Sequence, residues 1–520
     1  MDTLFHKFVE KIKGVLEGFD RIVFKGTIKN ICYPAGIGMF LHDRGVLNKS
    51  YREWLTKQSD VIIQDAKDYC KRLTGTDIQY LSSSITRKET LAHEQQNRLN
   101  IQDGLIGVWS CVETCNTFKA VFDGEAGYPQ IKSEKSRCLH LYFYYDHKDY
   151  GFMSIRLQTW APYEIQIALN GREWLKRLLD KSNSRYILEG NKFLELENYD
   201  MAQQLLNSQL DTRWIDLLSD FTAQAFPSMP ALLGERMSYY WILWQSEWAK
   251  DYIFDSPQVL QNQMGQLLRH AFITGTADRV LRYFGRPVKD NGQPSRNVDT
   301  ELCSRLKLWY DGGRIKHWVF HNSLKCYNEQ NVLRFECTIN EPKKFKVFRT
   351  INGDDTGEKK RLDMRKGIAD INVRTQVSSS CIKNFTEQVA TLEDDSTVAD
   401  IISRVSKPIK SEGKRYRALD VTGKDLELLR AIADPKYNVD AITNKHLQAA
   451  LKDTAWANKL EGPKLAARIS RQLRLLREHG LIRKLPKQHR YMLTAKGRLL
   501  TTSLNQFLGA KLSDLSKLSA

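Results

Sequence analysis

The stretch Ile469–Ile482, ISRQLRLLREHGLI, carries the clearest structural pattern in the chain. Its apolar residues recur every three or four positions, which is the spacing of an amphipathic helix. At 100° per residue, one face brings four apolar side chains within about 40° of its centre: Leu465, Ile469, Leu473 and Leu476. Gly480 follows at the position where many helices end in a left-handed residue. The pattern predicts a helix from Pro463 to His479.

The opposite face of this predicted helix is basic. Its outward residues are Lys464, Arg468, Arg471 and Arg474. Two short strand patterns follow, Leu481–Leu485 and Arg490–Leu493, around a turn that contains Pro486 and Lys487. Upstream, Asp425–Ile432 and Thr443–Leu451 predict two more helices, and Thr443 is a suitable N-cap for the second. Residues 421–510 therefore read as one domain.

The string Ile469–Ile482 and its setting resemble the junction between recognition helix and wing in bacterial winged-helix regulators. The resemblance covers about a sixth of the chain and implies a winged helix-turn-helix whose third helix enters the major groove. It implies that Arg471 reads a guanine edge. The other residues it implies at the nucleic acid are Lys464, Arg468, Arg474, Arg483, Lys484, Lys487 and Arg490. A winged helix that binds protein, or a merely solvated basic helix, is the alternative.

The distribution of charge favours a polyanionic partner. The chain of 520 residues has 79 Lys and Arg against 61 Asp and Glu, a net charge of +18. Between Ile401 and Ala520 there are 25 basic and 10 acidic residues, so most of the excess lies in this last part. A concentrated basic excess is typical of segments that contact nucleic acid.

Other classes of protein are excluded by composition. The mean hydropathy is −0.48 and no window of 18 apolar residues occurs, so no membrane partner is expected. The N-terminus lacks a basic segment followed by an apolar run, so we expect no secretory signal. The nine cysteines are scattered and form no C-x-x-C pair, which favours reduced thiols in a cytoplasmic protein.

The chain as a whole predicts a multidomain α/β (mixed α+β) protein with central antiparallel sheets, helical insertions and the C-terminal winged helix-turn-helix. Its predicted regions are an N-terminal α/β region 1–100, an aromatic-rich β-sheet region 101–200, a helical region 201–285, a β-meander region 300–375, a basic linker 393–420 and the domain 421–510. In the helical region, Trp241, Trp244 and Trp248 are spaced like the buried stripe of a helix.

The aromatic-rich strands are one candidate surface for nucleic acid. In Phe152–Trp160, alternation puts Arg156 and Trp160 on one face and an apolar set on the other. Together with Tyr142 on the preceding strand, they could stack bases and hold phosphates. An ordinary half-exposed sheet is the competing interpretation.

The meander is a candidate for chemistry. Its Lys325-x-Tyr327 and Arg334-x-Glu336 patterns resemble strands of some plasmid and phage replication initiators. That resemblance implies a tyrosine nucleophile and a metal held by paired histidines, but Leu139-His140-Leu141 supplies one histidine only. The candidate catalytic residues are His140, Asp146, His147, Tyr327 and Glu336, with Mg²⁺ or Mn²⁺ as the cofactor of a nuclease. Lys325 could contact nucleic acid or form a cross-strand ion pair with Glu336; Asp20 could be a nuclease carboxylate or a cap.

Three functions follow from these patterns. The leading hypothesis is a nucleic-acid-binding protein (DNA or RNA) of a bacterial mobile or plasmid-like element, which the whole chain resembles. The second is a metal-dependent nuclease or replication initiator that uses the central strands. The third is a transcription regulator whose large body senses a ligand or partner.

Overall fold

The computed structural model describes residues 2–286, 302–351, 357, 359–390, 398–411, 413–434, 437, 441–485 and 489–509. They form two compact units. The sheet unit comprises Lys11–Leu260 and His321–Ser379, and the terminal unit comprises Met1–Glu10, Gln261–Phe320 and Ser380–Ala520. The predicted mixed α/β, multidomain class is confirmed. Within the described ranges, no helix has the length and apolar character needed to cross a bilayer.

The α-helices are α1 Thr3–Lys7, α2 Pro34–Asp43, α3 Tyr51–Thr74, α4 Lys88–Leu99, α5 Gly171–Lys181, α6 Tyr199–Asn207, α7 Trp214–Ala225, α8 Met229–Leu233, α9 Pro257–Thr274, α10 Ala277–Tyr283, α11 Ile371–Val389, α12 Val398–Val405, α13 Leu426–Ile432, α14 Asn444–Leu451, α15 Gly462–Glu478 and α16 Ala495–Gly509.

The strands are β1 Ile12–Thr27, β2 Gln79–Leu81, β3 Gly104–Asp123, β4 Tyr128–His147, β5 Gly151–Gln158, β6 Ile165–Asn170, β7 Tyr186–Glu189, β8 Lys192–Leu196, β9 Tyr240–Phe254, β10 Leu302–Trp309, β11 Gly312–Val319, β12 Asn322–Glu329, β13 Val332–Ile339, β14 Lys346–Arg349, β15 Lys360–Asp363, β16 Ile409–Ser411, β17 Lys414–Tyr416, β18 Ile482–Lys484 and β19 Tyr491–Leu493.

One large sheet organises the sheet unit. Its strands lie in the order β12-β13-β9-β1-β6-β5-β4-β3-β2. The pairs from β13 to β3 are antiparallel, whereas the short edge strand β2 runs parallel to β3. Strands of the predicted aromatic-rich region and of the predicted meander therefore belong to the same sheet. The long strands β1 and β9 lie between them and join the two halves.

The prediction of a helical region from 201 to 285 is wrong for β9. Tyr240–Phe254 is a strand that pairs with β1 on one side and β13 on the other. Val23 pairs with Gln245 and Phe24 with Leu243, so Trp244 is the extra residue of a β-bulge. This extra residue interrupts the two-residue alternation of the strand. Trp241, Trp244 and Trp248 are therefore three and four positions apart, which is also the spacing of one face of a helix.

The C-terminal elements lie where the sequence predicts them. Helices α13, α14 and α15 are followed by the hairpin β18–β19 and by α16. Thr443 caps α14 by accepting a hydrogen bond from the backbone N–H of His446, and Gly480 has φ +72° just after α15. The four residues of the predicted buried face of α15 are all buried. The predicted linker 393–420, in contrast, contains α12 and the hairpin β16–β17.

A buried ion network connects three adjacent strands of the sheet. The guanidinium of Arg334 on β13 binds both carboxylate oxygens of Asp251 on β9, at 2.6 and 2.7 Å, and Asp20 on β1 at 2.9 Å. Arg172 of α5 adds a contact of 3.1 Å to Asp251. Arg334, Asp251 and Arg172 are each about 1% exposed, so these charges depend on one another for compensation.

We expect Arg334→Ala to lower the free energy of unfolding by about 3–5 kcal/mol, because it removes the buried cation that Asp20 and Asp251 share and leaves Arg172 alone to compensate Asp251. Chemical denaturation of the full chain measures the change. The control is Lys13→Ala, which removes a partly exposed pair with Glu195 and should cost less than about 1 kcal/mol. Equal effects of the two substitutions would contradict the network's role.

Candidate metal centre and nucleic-acid surfaces

Three carboxylates from three adjacent strands converge on one point of the sheet unit. Asp20 of β1, Glu247 of β9 and Glu336 of β13 each place one carboxylate oxygen within 4.8 Å of the other two. Glu336 is buried, and the other two are partly shielded from solvent. Among the acidic, histidine and cysteine side chains of the described ranges, these three form the group that is close enough together to hold a metal ion.

Strand register explains how the carboxylates meet. On β9, Glu247 pairs with Arg21 of β1 and with Thr338 of β13, two residues from Glu336. Phe19 pairs with Trp248 while Arg21 pairs with Glu247, so Asp20 is the extra residue of a second β-bulge. Bulges redirect side chains and break the regular alternation of the strand. This bulge brings Asp20 beside the two glutamates.

Strand β12 contributes a lysine and a tyrosine to the same place. Lys325 pairs directly with Glu336 in the register, and its Nζ donates to Oε1 of that carboxylate. The hydroxyl of Tyr327 donates to the other oxygen of Glu336 at 3.3 Å, and Thr338 Oγ1 donates to Oε1 at 3.1 Å. The expected cross-strand ion pair is therefore present, and two candidate catalytic residues, Tyr327 and Glu336, are in contact.

The buried patch carries more negative than positive charge. Its carboxylates belong to Asp20, Glu247, Asp251 and Glu336, and its shielded cations to Arg172, Lys325 and Arg334, while the exposed Arg21 acts on Glu247 from the surface. Glu247 accepts a hydrogen bond from the neutral amide of Gln245 at 2.9 Å. Burial, and next the charge of Glu336, raise the pKa of Glu247 to about 7. A proton or a metal cation at Glu247 would remove the excess.

The structure does not bring His140 and Asp146 to this cluster. Both lie on β4, five strand spacings from β13, which corresponds to about 24 Å. Burial, and next the charge of Arg156, lower the pKa of His140 to about 4, and its Nδ1 lies 3.2 Å from the carbonyl oxygen of Cys138. Asp146 forms an ion pair with Arg177.

His147 has a local structural role. His147 Nδ1 accepts hydrogen bonds from the backbone N–H groups of Asp149 and Tyr150, at 3.2 and 3.3 Å, and so closes the turn between β4 and β5. His140, Asp146 and His147 thus have other partners, on β4, on α5 and in the turn after β4. Of the candidate catalytic residues, Tyr327 and Glu336 of the meander are the two that lie at the carboxylate cluster.

Tyr142 and Arg156 bind each other and a carboxylate. Arg156 donates to the hydroxyl of Tyr142 at 3.1 Å and to Glu113 at 3.0 Å, and Tyr142 donates to Glu113 at 2.6 Å. Lys88 of α4 lies 3.4 Å from the same carboxylate. Trp160, for its part, is covered by the guanidinium of Arg52 at 4.3 Å. Tyr142 and Arg156 pair directly across β4 and β5 and share a face as expected, but their polar groups already have partners, and Trp160 lies beyond the end of β5.

The basic residues of the C-terminal elements lie largely at the surface. Those that are exposed are Lys464, Arg471, Arg474, Arg483, Lys484 and Arg490. Arg474 donates to the hydroxyl of Tyr416 at 3.1 Å, and the half-buried Arg468 stacks on Trp456 at 4.5 Å. Lys487 lies outside the described residues. The outer face of α15 is thus a basic surface, with Arg471 near its middle.

Sequence reasoning missed Glu247 and gave Asp20 no partner. Glu247 lies in the segment interpreted as a helix, where its neighbours Trp244 and Trp248 imitate a helical stripe. Asp20 depends on a bulge, which arises from pairing with a distant strand and leaves no local pattern. Comparison with protein-family models, with curated proteins and with solved structures found no match to this chain.

The raised pKa of Glu247 predicts a specific pH dependence of stability. The folded protein retains the Glu247 proton more tightly than the unfolded chain does, so this residue costs stability as pH rises from about 4.5 to about 7. Over that interval, Glu247→Gln should gain up to about 3 kcal/mol relative to the wild type. Denaturation at closely spaced pH values, without divalent cations, measures the difference. A constant offset between the two proteins would contradict the assignment.

Proposed function

We propose that this protein binds nucleic acid and cleaves phosphodiester bonds with the help of a divalent cation held by Asp20, Glu247 and Glu336. The observation that carries the proposal is the convergence of these carboxylates on adjacent strands, in a patch with excess negative charge. Carboxylate oxygens are the ligands that Mg²⁺ and Mn²⁺ prefer. A cation at this point would polarise a phosphoryl oxygen and stabilise the charge that develops during cleavage.

The neighbouring side chains favour water over tyrosine as the nucleophile. Burial raises the pKa of Tyr327 well above its ordinary value, so its phenol stays protonated. Glu247 has a pKa of about 7 without a cation, so near neutral pH it can give up its proton and join the other two carboxylates as a ligand. Water would form the new bond to phosphorus as the bond from phosphorus to the leaving sugar oxygen breaks. The proton that the water loses would pass to solvent, and the leaving oxygen would take a proton from solvent.

We expect Glu336→Gln to weaken Mn²⁺ binding by at least about tenfold and to abolish cleavage, because it removes a charged ligand. Titration calorimetry measures binding, and gel analysis of labelled single-stranded and duplex DNA and RNA measures cleavage. Mn²⁺ affinity of the wild type should rise with pH up to about 7, because a proton must leave Glu247.

Glu113→Gln is the matched control for this prediction. Glu113 is a half-buried carboxylate in the same unit that is paired with both lysine and arginine, as Glu336 is paired with Lys325. The control should bind Mn²⁺ as the wild type does. A wild-type protein that binds no Mn²⁺, or a Glu336→Gln variant with unchanged affinity, would overturn the proposed centre.

A second candidate activity, docking on duplex nucleic acid, is favoured by the C-terminal elements. The order of three helices, hairpin and helix supports the winged helix-turn-helix assignment. The exposed basic face of α15, with Lys464, Arg471 and Arg474, supports its use as a recognition helix. A regulator of transcription needs this surface alone, whereas a nuclease needs the carboxylate centre as well, so metal-dependent cleavage separates the two functions.

We expect Arg471→Ala to cost about 1–3 kcal/mol on a duplex selected from a random pool, and little on unrelated duplexes, because a base contact carries sequence preference. Fluorescence anisotropy on both duplexes gives the ratio. Arg430→Ala, at an exposed position on α13, is the control and should alter neither affinity. An equal loss on every sequence would instead make Arg471 a phosphate contact.

A further inference from the structure

The hairpin β10–β11 of the terminal unit has one strongly basic and aromatic face. Register pairs Arg305 with Lys316, and Lys307 with Arg314, and the same alternation puts Trp309 and Trp318 beside them. We call this set the hairpin face: Arg305, Lys307, Trp309, Arg314, Lys316 and Trp318. Its positions carry no acidic residue; the nearest in sequence, Asp311, lies in the turn. The hairpin face therefore has four positive charges and two indole rings.

The other side of the hairpin is anchored in the terminal unit. Ile315, His317 and Val319 are buried, and the ring of His317 packs 5.2 Å from that of Phe385. At Gly313, a Cβ would lie 2.7 Å from Leu268 of α9, so the strand approaches that helix closely. With one side fixed against helices, the hairpin presents the opposite face to solvent as a defined surface.

The aromatic groups of the hairpin are accessible. Trp309 is exposed, and Tyr310 at the tip is fully exposed. At the other end of the face, Trp318 has the ammonium of Lys316 4.5 Å and the guanidinium of Arg305 5.8 Å from its ring centre. Two neighbouring exposed rings, Trp309 and Tyr310, thus lie at one end of a basic surface, where a partner can stack on them.

We propose that the hairpin face binds a single-stranded nucleic acid, with its cations on phosphates and its aromatic side chains against bases. The proposal deepens the proposed function and rests on its nucleic-acid partner. Base–aromatic stacking tolerates any sequence, since every base has a π-face, and a line of cations follows a flexible backbone. The surface has both features together.

Size and chemistry favour a single strand over a duplex. Cys303, which pairs with Trp318, lies six residues from Trp309, so the face is about 20 Å long. That length matches about six stacked nucleotides at 3.4 Å each. A duplex presents its phosphates but keeps its base faces stacked inside, so Trp309 and Tyr310 would gain no stacking partner from it.

The test measures binding of fluorescein-labelled oligothymidylate and oligouridylate to the full chain by anisotropy, in EDTA so that cleavage is suppressed. Trp309→Ala combined with Tyr310→Ala should weaken binding at least about tenfold through lost stacking. Arg305→Ala combined with Lys307→Ala should weaken it about tenfold and reduce the slope of log K against log salt by about 1.4, as expected for two phosphate contacts.

Matched controls change the same residue types elsewhere. Tyr80→Ala with Tyr128→Ala removes two exposed aromatic rings, and Lys67→Ala with Arg72→Ala removes two exposed cations of α3. Neither should alter affinity or salt slope. Unchanged binding in the hairpin variants, or equal losses in the controls, would overturn the assignment of the hairpin face.

The outcomes separate this inference from the proposed function. A wild-type protein that binds duplex and no single strand overturns the hairpin proposal and leaves the nucleic-acid function standing. Failure to bind either form overturns both. Intact oligonucleotide binding in a protein without Mn²⁺ binding supports the hairpin face and overturns the cleavage centre alone.

Discussion

The buried guanidinium of Arg334 is the interaction on which the centre of the sheet unit depends. It binds Asp251 through two parallel contacts and Asp20 through a third, and so fixes β13 against β9 and β1. Asp20 belongs to this network and also to the carboxylate cluster. The geometry that holds three strands in register is thus the same geometry that sets the distances among Asp20, Glu247 and Glu336.

The carboxylates of this cluster are not all compensated by a cation of the protein. Burial alone would raise the pKa of Asp251. The guanidinium groups of Arg334 and Arg172 outweigh burial and hold this pKa below its ordinary value. Lys325 forms an ion pair with Glu336, whereas the hydrogen-bond donor to Glu247 is the neutral amide of Gln245. In the proposed centre, a proton and a metal cation would compete for that position, so pH and cation concentration would act on the same oxygen atoms.

The sequence predicts local structure well and the candidate site only in part. Helix α15 and its buried leucines follow from a periodic pattern of 3.6 residues, and Gly480 follows from the steric freedom of glycine. Strand β9 was misread because its bulge disguises alternation as helical spacing. Glu336 and Tyr327 are candidates through the resemblance of their two strands to replication initiators, and the structure brings them together because these strands form one hairpin, whose pairing is local.

Their distance from His140 could not be foreseen, since it depends on the order of strands in the sheet. The same limit explains why Asp20 and Glu247 entered the site only with the structure. For Tyr142 and Arg156, alternation predicts the shared face. The carboxylate that binds them belongs to Glu113 on β3, and the register of β3 against β4 cannot be read from the sequence of either strand.

The protonation state of Tyr327 bears on which kind of strand cleavage the proposed centre would support. A replication initiator that keeps hold of its product needs a phenolate to attack phosphorus, which leaves a phosphotyrosyl bond. Here burial stabilises the neutral phenol, and its hydroxyl donates to a carboxylate that already holds Lys325. To form a phenolate would add another negative charge to a patch that has an excess. Attack by water places no new charge on the protein, so the electrostatics of the proposed centre favour hydrolysis with release of both ends of the strand.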